Sequence, residues 1–127
     1  MDINAAFKLF DIRGDYPAQV NERFAFVLGK ALALSRQPKK VVIAYDTRKS
    51  SPALKEYLID GLGNIEIFDS GIIPVTQFYY TMATSDFDLG VMITASHIAD
   101  TENGFKLVEK SGLPFDQAEI LKVKDEM

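Results

Sequence analysis

Hydrophobic positions along this chain fall into short runs whose period switches between two and about 3.6. Residues 7–12, FKLFDI, alternate apolar and polar at their start and predict a strand, and RGDYP at 13–17 is turn chemistry. From 21 to 35 the apolar side chains stand at Phe24, Val27, Leu28, Ala31 and Leu34, one stripe on a helix. VVIAY at 41–45 is a continuous apolar run of the kind that suits a strand buried on both faces. Ser51 followed by Pro52 predicts a helix start, with the hydroxyl as N-cap and proline in the first turn. Leu54, Tyr57, Leu58 and Leu62 supply that helix's stripe, and Gly61 and Gly63 lie near its end. Residues 65–71 alternate again and predict a strand, 74–83 a short helix, 89–94 a buried strand and 104–109 a further strand. Residues 115–127 begin a polar helix or a linker.

Strand, helix, strand, helix, strand, helix, strand, strand is the order of an α/β layered domain. The last two strands lie close in sequence and are placed to pair antiparallel, so a mixed sheet is expected. At 127 residues, 47% of them hydrophobic, the chain is the size of one domain with a real core. A net charge of −4 argues against an extended basic face for nucleic acid. There is no cysteine, hence no disulfide framework and no thiolate metal site. No apolar run approaches the ~20 residues of a membrane span. The N-terminus lacks the pattern of a signal peptide, so a cytoplasmic protein is expected.

Candidate chemistry centres on TASHIAD, residues 94–100, which follows the apolar run LGVMIT and holds the only histidine. Serine needs a base, a metal or a positive field to act as a nucleophile. Neighbours in an extended segment point to opposite sides, so His97 is badly placed as a base for Ser96. With no second histidine and no G-x-S-x-G elbow, a serine hydrolase is disfavoured. An ordinary loop serine stays open on the residues alone. Cations gather near predicted strand ends: Arg13 after the first strand, Arg48 and Lys49 after the second, and Lys106 ten residues beyond Ser96. If the strands run parallel, Arg13, Arg48 and Ser96 share the edge where α/β sheets bind ligands. Arginine forks and a Ser-Ser-Pro helix start both suit phosphate. Asp86 and Asp88 are too few for a metal cage and read as structural.

The ordered motifs FDIRG, AYDTRKSSP and TASH…NGFK resemble the first domain of the α-D-phosphohexomutases, the phosphomannomutase and phosphoglucomutase family, over residues 7–113. The resemblance implies a three-layer α/β domain with a mixed, mostly parallel sheet of about four strands between helices. It implies a parent enzyme that interconverts hexose 1-phosphate and 6-phosphate through a phosphoserine and a bisphosphate. By motif position, Ser96 carries the phosphoryl group and His97 matches the histidine beside it. Arg13 lies near the phosphoryl group, and Lys106 assists proton transfer or charge balance. Arg48 supports the site, and Asn103 and Gly104 position the lysine. A phosphorylated Ser96 would carry about −1.5 to −2 charge and need cations close by. Mg2+ in the full-length enzyme would meet this chain through the Ser96 phosphoryl group, its other ligands lying elsewhere.

This sequence departs from the family pattern at Ile98 and Ala99, where asparagine and proline are usual, and at Glu102, where tyrosine is frequent. It also lacks the D-x-D-x-D-R loop of the family's second domain, and DFDLG is no substitute. Residues 1–127 therefore read as domain 1 alone, without domains 2–4, and the isolated chain is expected to be inactive. The alternative is a non-enzymatic single-domain relative that binds a phosphorylated ligand or self-associates through the surface that missing domains leave bare. Exposed Phe115, Ile120 or Leu121 would mediate such self-association. Neither nucleic acid nor membrane is an expected partner.

Overall fold

The computed structural model describes residues 3–8, 11–95 and 100–127. After a short 3-10 turn at Asn4–Ala6, the elements follow in the order β1 (Ile12–Asp15), α1 (Glu22–Arg36), β2 (Lys40–Tyr45), α2 (Ser51–Leu62), β3 (Glu66–Ile72), α3 (Val75–Thr84), β4 (Leu89–Ile93), β5 (Glu102–Glu109) and α4 (Gln117–Asp125). They build one five-stranded sheet in the order β1-β5-β4-β2-β3. β2 pairs parallel with β3 and β4, and β5 pairs antiparallel with β4 and β1. Four strands therefore run one way and β5 alone runs back.

The central strands β2 and β4 are the continuous apolar runs, and their side chains are buried on both faces. Alternation along each strand sorts the side chains into two clusters. On one face Val41, Ile43, Val91 and Phe105 meet Phe24 and Leu28 of α1, Leu54 and Leu58 of α2, and Ile120 and Val123 of α4. On the other, Val42, Ala44, Met92 and Val108 meet Phe78 and Met82 of α3, with the partly buried Ile73, Val75, Tyr79 and Phe87 around them. The helices α1 and α2 cross closely. A Cβ on Gly61 would lie 2.1 Å from the Phe26 carbonyl oxygen, and one on Gly29 would lie 2.4 Å from that of Leu58. Asn21 caps α1 by accepting from the Phe24 amide at 2.8 Å. A capping box between Asp116 and Glu119 starts α4. Arg36 fastens α4 to α1, at 2.8 Å from Glu119 and with its guanidinium 4.4 Å over the Phe115 ring.

The mixed α/β sheet and its antiparallel β4–β5 pair agree with the sequence expectation, but there are five strands rather than about four. Residues 7–12 are not one strand. The Lys8 amide donates to the Asp11 carbonyl at 2.9 Å, and Phe7 bridges back to Ile12. The first strand thus starts at Ile12 and contains Arg13. The α1 stripe is rotated: Ala25, Gly29 and Leu32 are buried and Leu34 is 62% exposed. On α2, Tyr57 likewise faces out. The N-cap of α2 is Ser50, and Ser51 sits inside the helix. Phe115 and Ile120 are not docking residues: they are 1% and 2% exposed, tucked into the core as α4 folds onto α1, and of the three expected residues only Leu121 is exposed.

Candidate active site

The shared direction of β1, β2 and β4 brings their carboxyl ends, and the start of β5, to one edge of the sheet. Ser96, His97, Ile98 and Ala99 lie outside the described residues. The chain on either side of them is firmly held. The Thr94 amide donates to the Gly104 carbonyl at 2.9 Å, and the Thr101 carbonyl accepts from the Tyr16 amide at 2.8 Å.

Asp46, just past β2, is the hub beneath this edge. Its backbone amide donates to the Ile93 carbonyl at 3.1 Å, tying β2 to β4. Its Oδ1 accepts from the Arg48 amide at 3.0 Å and from Ser51 Oγ at 2.7 Å. Its Oδ2 accepts from Arg48 Nε at 3.1 Å. The largely buried Arg48 side chain then reaches Asp100, at 3.7 Å from Nη1 to Oδ1. Asn103 is fully buried. Its Nδ2 donates to Ser50 Oγ at 2.7 Å and Ser51 Oγ at 3.0 Å, and its Oδ1 accepts from the Gly104 amide at 2.8 Å. Serine at both positions thus joins the start of α2 to the start of β5. A buried amide needs such partners, because leaving it unpaired costs about 1–3 kcal/mol.

Arg13 and Lys106 form the second part of the site. Arg13 pairs with Gly104 across the β1–β5 ladder, and Lys106 stands two residues further along β5. Ile12, Phe105 and Leu107 belong to the α1/α2 cluster, so the alternating Arg13 and Lys106 project to the α3 side. Gly104 makes this approach possible: a Cβ there would lie 2.1 Å from the Ile12 carbonyl oxygen and 2.7 Å from the Arg13 Cβ. Between the two cations stands Asp11, with Oδ1 3.4 Å from Arg13 Nε and Oδ2 3.9 Å from Lys106 Nζ. Tyr79 of α3 completes the wall. Burial raises its phenol above the ordinary value, with the Asp11 charge adding to the effect, so it keeps its proton at neutral pH and can donate a hydrogen bond.

Two recesses meet here. One of about 570 Å³ is lined by Asp46, Arg48, Thr94, Asp100, Tyr79 and Lys106. The other, of about 310 Å³, is lined by Lys8, Asp11, Arg13, Pro114, Tyr79 and Lys106. Lys106 and Tyr79 belong to both. Such a wall, with arginine and lysine on one side and a phenol donor beside them, suits a phosphorylated ligand.

Asp86 and Asp88 are structural. Asp88 Oδ2 accepts from the Lys39 and Lys40 amides at 2.8 and 3.0 Å, which holds its carboxyl below the ordinary value, and Asp86 pairs with Lys110 at 3.3 Å. Among the described residues no group of three or more acidic or histidine side chains is placed to hold a metal ion. The Asp46 and Asp100 carboxylates face Arg48. These residues do not form a magnesium cage.

Sequence reasoning overlooked Asp11, Asp46, Ser50 and Tyr79 as site residues. Asp11 stands two residues before Arg13, just ahead of β1, and that spacing is the local signal of their contact. Asp46 opens the D-x-R-x-S-S-P run, but its role as hub needs the fold. Tyr79 reads as one more apolar helix position.

Residues 4–127 match the phosphoglucomutase/phosphomannomutase, alpha/beta/alpha domain I. The chain belongs to this family. It is 36% identical over 117 residues to a phosphomannomutase of Methanocaldococcus jannaschii, covering 91% of this chain and 26% of that protein. It is 40% identical over 111 residues to a protein of Xanthomonas campestris pv. campestris named phosphohexose mutases, covering 86% of this chain and 25% of that one. The fold superposes on a phosphoglucomutase/phosphomannomutase family protein from Burkholderia thailandensis with a TM-score of 0.85 and 28% identity, covering 98% of this chain and 30% of that one. The chain thus spans about a quarter of the length of the curated relatives it matches. No described helix is long and apolar enough to cross a membrane.

Proposed function

We propose that this chain is domain 1 of a cytoplasmic phosphohexomutase that interconverts hexose 1-phosphate and hexose 6-phosphate, with Ser96 as the phosphoryl carrier. The observation that carries this reading is the placement of Arg13 and Lys106. They stand on neighbouring strands, with Lys106 in the recess that Thr94 and Asp100 line and both cations in the recess beside it.

In the transfer step the bond between Ser96 Oγ and phosphorus breaks. A bond forms from phosphorus to the free hydroxyl oxygen of the hexose phosphate. The hydroxyl proton leaves and the serine oxygen is reprotonated. The resulting bisphosphate turns round and returns its other phosphoryl group to Ser96. Charge spreads over the equatorial phosphoryl oxygens during transfer, and positioning plus cationic stabilisation supplies most of the catalysis. The Arg13 fork meets those oxygens, while Lys106 balances charge or moves the proton. Arg48, with Asp46 and Asn103, holds the base of the loop. His97 lies beside the carrier. The remaining magnesium ligands and the sugar-binding groups belong to other parts of the whole protein, so the isolated chain accepts a phosphoryl group but does not isomerise sugar phosphates.

Intact-protein mass spectrometry tests this. After incubation with glucose 1,6-bisphosphate and magnesium, the wild-type chain should gain one phosphoryl mass and Ser96→Ala should gain none. Uptake by Ser96→Ala, or no uptake by the wild type even when the remaining domains are added in trans, refutes the proposal.

A further inference from the structure

We propose that Asp11 is a positioning residue: a built-in counter-ion that holds Arg13 and Lys106 at a common seat and keeps that seat from gripping phosphate too tightly. The inference rests on the reading of Arg13 and Lys106 as the phosphoryl-binding pair.

Three observations carry it. The first is geometry. Arg13 lies opposite Gly104, and Lys106 lies two residues beyond it on the same face. Diagonal neighbours of this kind sit within reach of long side chains, and two like charges there repel. Asp11, two residues before Arg13, puts one carboxylate oxygen toward each cation. The second is looseness. At 3.4 and 3.9 Å neither contact is a tight ion pair, and Arg13 Nε is buried without a hydrogen-bond partner among the described residues. A tight carboxylate–arginine fork would occupy the donors that a phosphoryl group needs. This one steadies the pair and leaves its donors available. The third is charge. Lys8 also lines the recess, with its Nζ donating to the Ala5 carbonyl at 2.9 Å, and Asp11 is the one carboxylate among the described lining residues.

A seat of two cations with no carboxylate beside them binds a phosphate dianion well and releases it badly. Transfer gains nothing from binding that is equally strong before and during the reaction. Asp11 sets the opposing field and fixes where the two cations stand. This predicts opposite signs for binding and transfer. Removing one negative charge beside the seat should tighten inorganic phosphate by about five- to tenfold at low ionic strength, with the gain shrinking as salt rises. Phosphoryl uptake from glucose 1,6-bisphosphate should meanwhile slow by about tenfold, because the cations are no longer held.

The test measures inorganic phosphate affinity by calorimetry or NMR titration at low and high salt. It uses the 127-residue wild type, Asp11→Asn and Asp11→Glu. Asp11→Asn should bind phosphate more tightly than wild type, and Asp11→Glu, which keeps the charge, should return toward wild type. A merely structural aspartate would lower the melting temperature without raising affinity. Equal or weaker phosphate binding by folded Asp11→Asn overturns the proposal, as does a gain that salt leaves unchanged or an absence of binding in both proteins. Should Asp11→Asn fail to fold, Asp11→Ser serves for the same comparison. The phosphate arm does not involve Ser96, so failure of wild-type phosphoryl uptake even with the remaining domains added in trans refutes the phosphomutase reading, while the phosphate arm still decides the role of Asp11.

Discussion

The two faces of the sheet are built on different terms. One is covered by α1, α2 and α4, with Phe24 stacked on Phe105 at 6.0 Å between ring centroids. The other is covered by α3 alone, and its cluster contains six buried residues. On that thinner side Arg13, Lys106, Asp11 and Tyr79 meet. Arg and Lys are seldom fully buried, because desolvating a charge is expensive. Putting them on the lightly covered face keeps their heads near water. The heavily covered face supplies the apolar burial that fixes the strands. The site is therefore precise because its opposite side is rigid.

The comparison breaks most sharply at the α1–α2 crossing. In most helix interiors, glycine to alanine is stabilising by about 1 kcal/mol. Gly61→Ala should reverse that sign and cost about 3 kcal/mol, since its Cβ would meet the Phe26 carbonyl at 2.1 Å. Urea unfolding of the purified variant measures this. A neutral or stabilising result would show that the crossing is not rigid.

Gly104→Ala probes the other face. Its Cβ would push β1 from β5 and carry Arg13 with it. A loss of about 2–3 kcal/mol is expected. Unlike Gly61→Ala, it should also cut phosphoryl uptake per folded molecule. If both variants reduce uptake equally at matched folded fraction, the faces are not separable as argued.

Asn103→Ala removes the amide that joins α2 to β5. Two serine hydroxyls and the Gly104 amide lose their partner, for a cost of about 2 kcal/mol. Asn103→Asp should be worse, because it places a buried carboxylate beside Ser51, whose hydroxyl already donates to Asp46. Denaturant midpoints rank the two.

A smaller effect, at the opposite end of the strands, follows from Asp88. Its carboxyl is held below the ordinary value by the Lys39 and Lys40 amides, so its stabilisation is present above pH ~4 and is lost as pH falls through the folded value. Asp88→Asn should cost about 1 kcal/mol at pH 7 and flatten the acid limb of the stability curve. Unfolding at several pH values reads the slope. An acid limb identical to wild type would show that other carboxylates account for it.

These contrasts also separate what sequence reveals from what it hides. β2 and β4 were legible because strands buried on both faces carry unbroken apolar runs. The edge that gathers Arg13 and Arg48 was legible because βαβ order largely fixes strand direction. β1 was not, because the turn at Lys8–Asp11 interrupts what reads as alternation, and only the Phe7–Ile12 bridge reveals it. Phe115 and Ile120 sit in a polar stretch whose local pattern does not show that α4 folds back against α1. Asp46 bonds to Arg48 and Ser51 within its own D-x-R-x-S-S-P run, and what no local pattern shows is its amide's tie to Ile93 of β4. Arg48, by contrast, stands out in the D-x-R-x-S-S-P run itself, where it bonds to Asp46 two residues earlier.

The mildest change lies at the end of α1, on the well-covered side. Gln37 closes this helix in the left-handed region, with φ 46° and ψ 52°, and its amide donates to the Ala33 carbonyl at 3.2 Å. Glutamine has a Cβ that this conformation crowds, at roughly 1 kcal/mol, whereas glycine has none. Gln37→Gly should therefore stabilise the domain, by about 0.5 kcal/mol once the extra freedom of glycine in the unfolded chain is subtracted. Gln37 is exposed and lines none of the recesses. Phosphoryl uptake should stay at the wild-type rate while the melting temperature rises by a few degrees. A stabilised variant with slowed uptake would mean that the supporting face and the site are coupled through flexibility. Unchanged uptake would mean that the covered face can be tightened without disturbing the cations on the other.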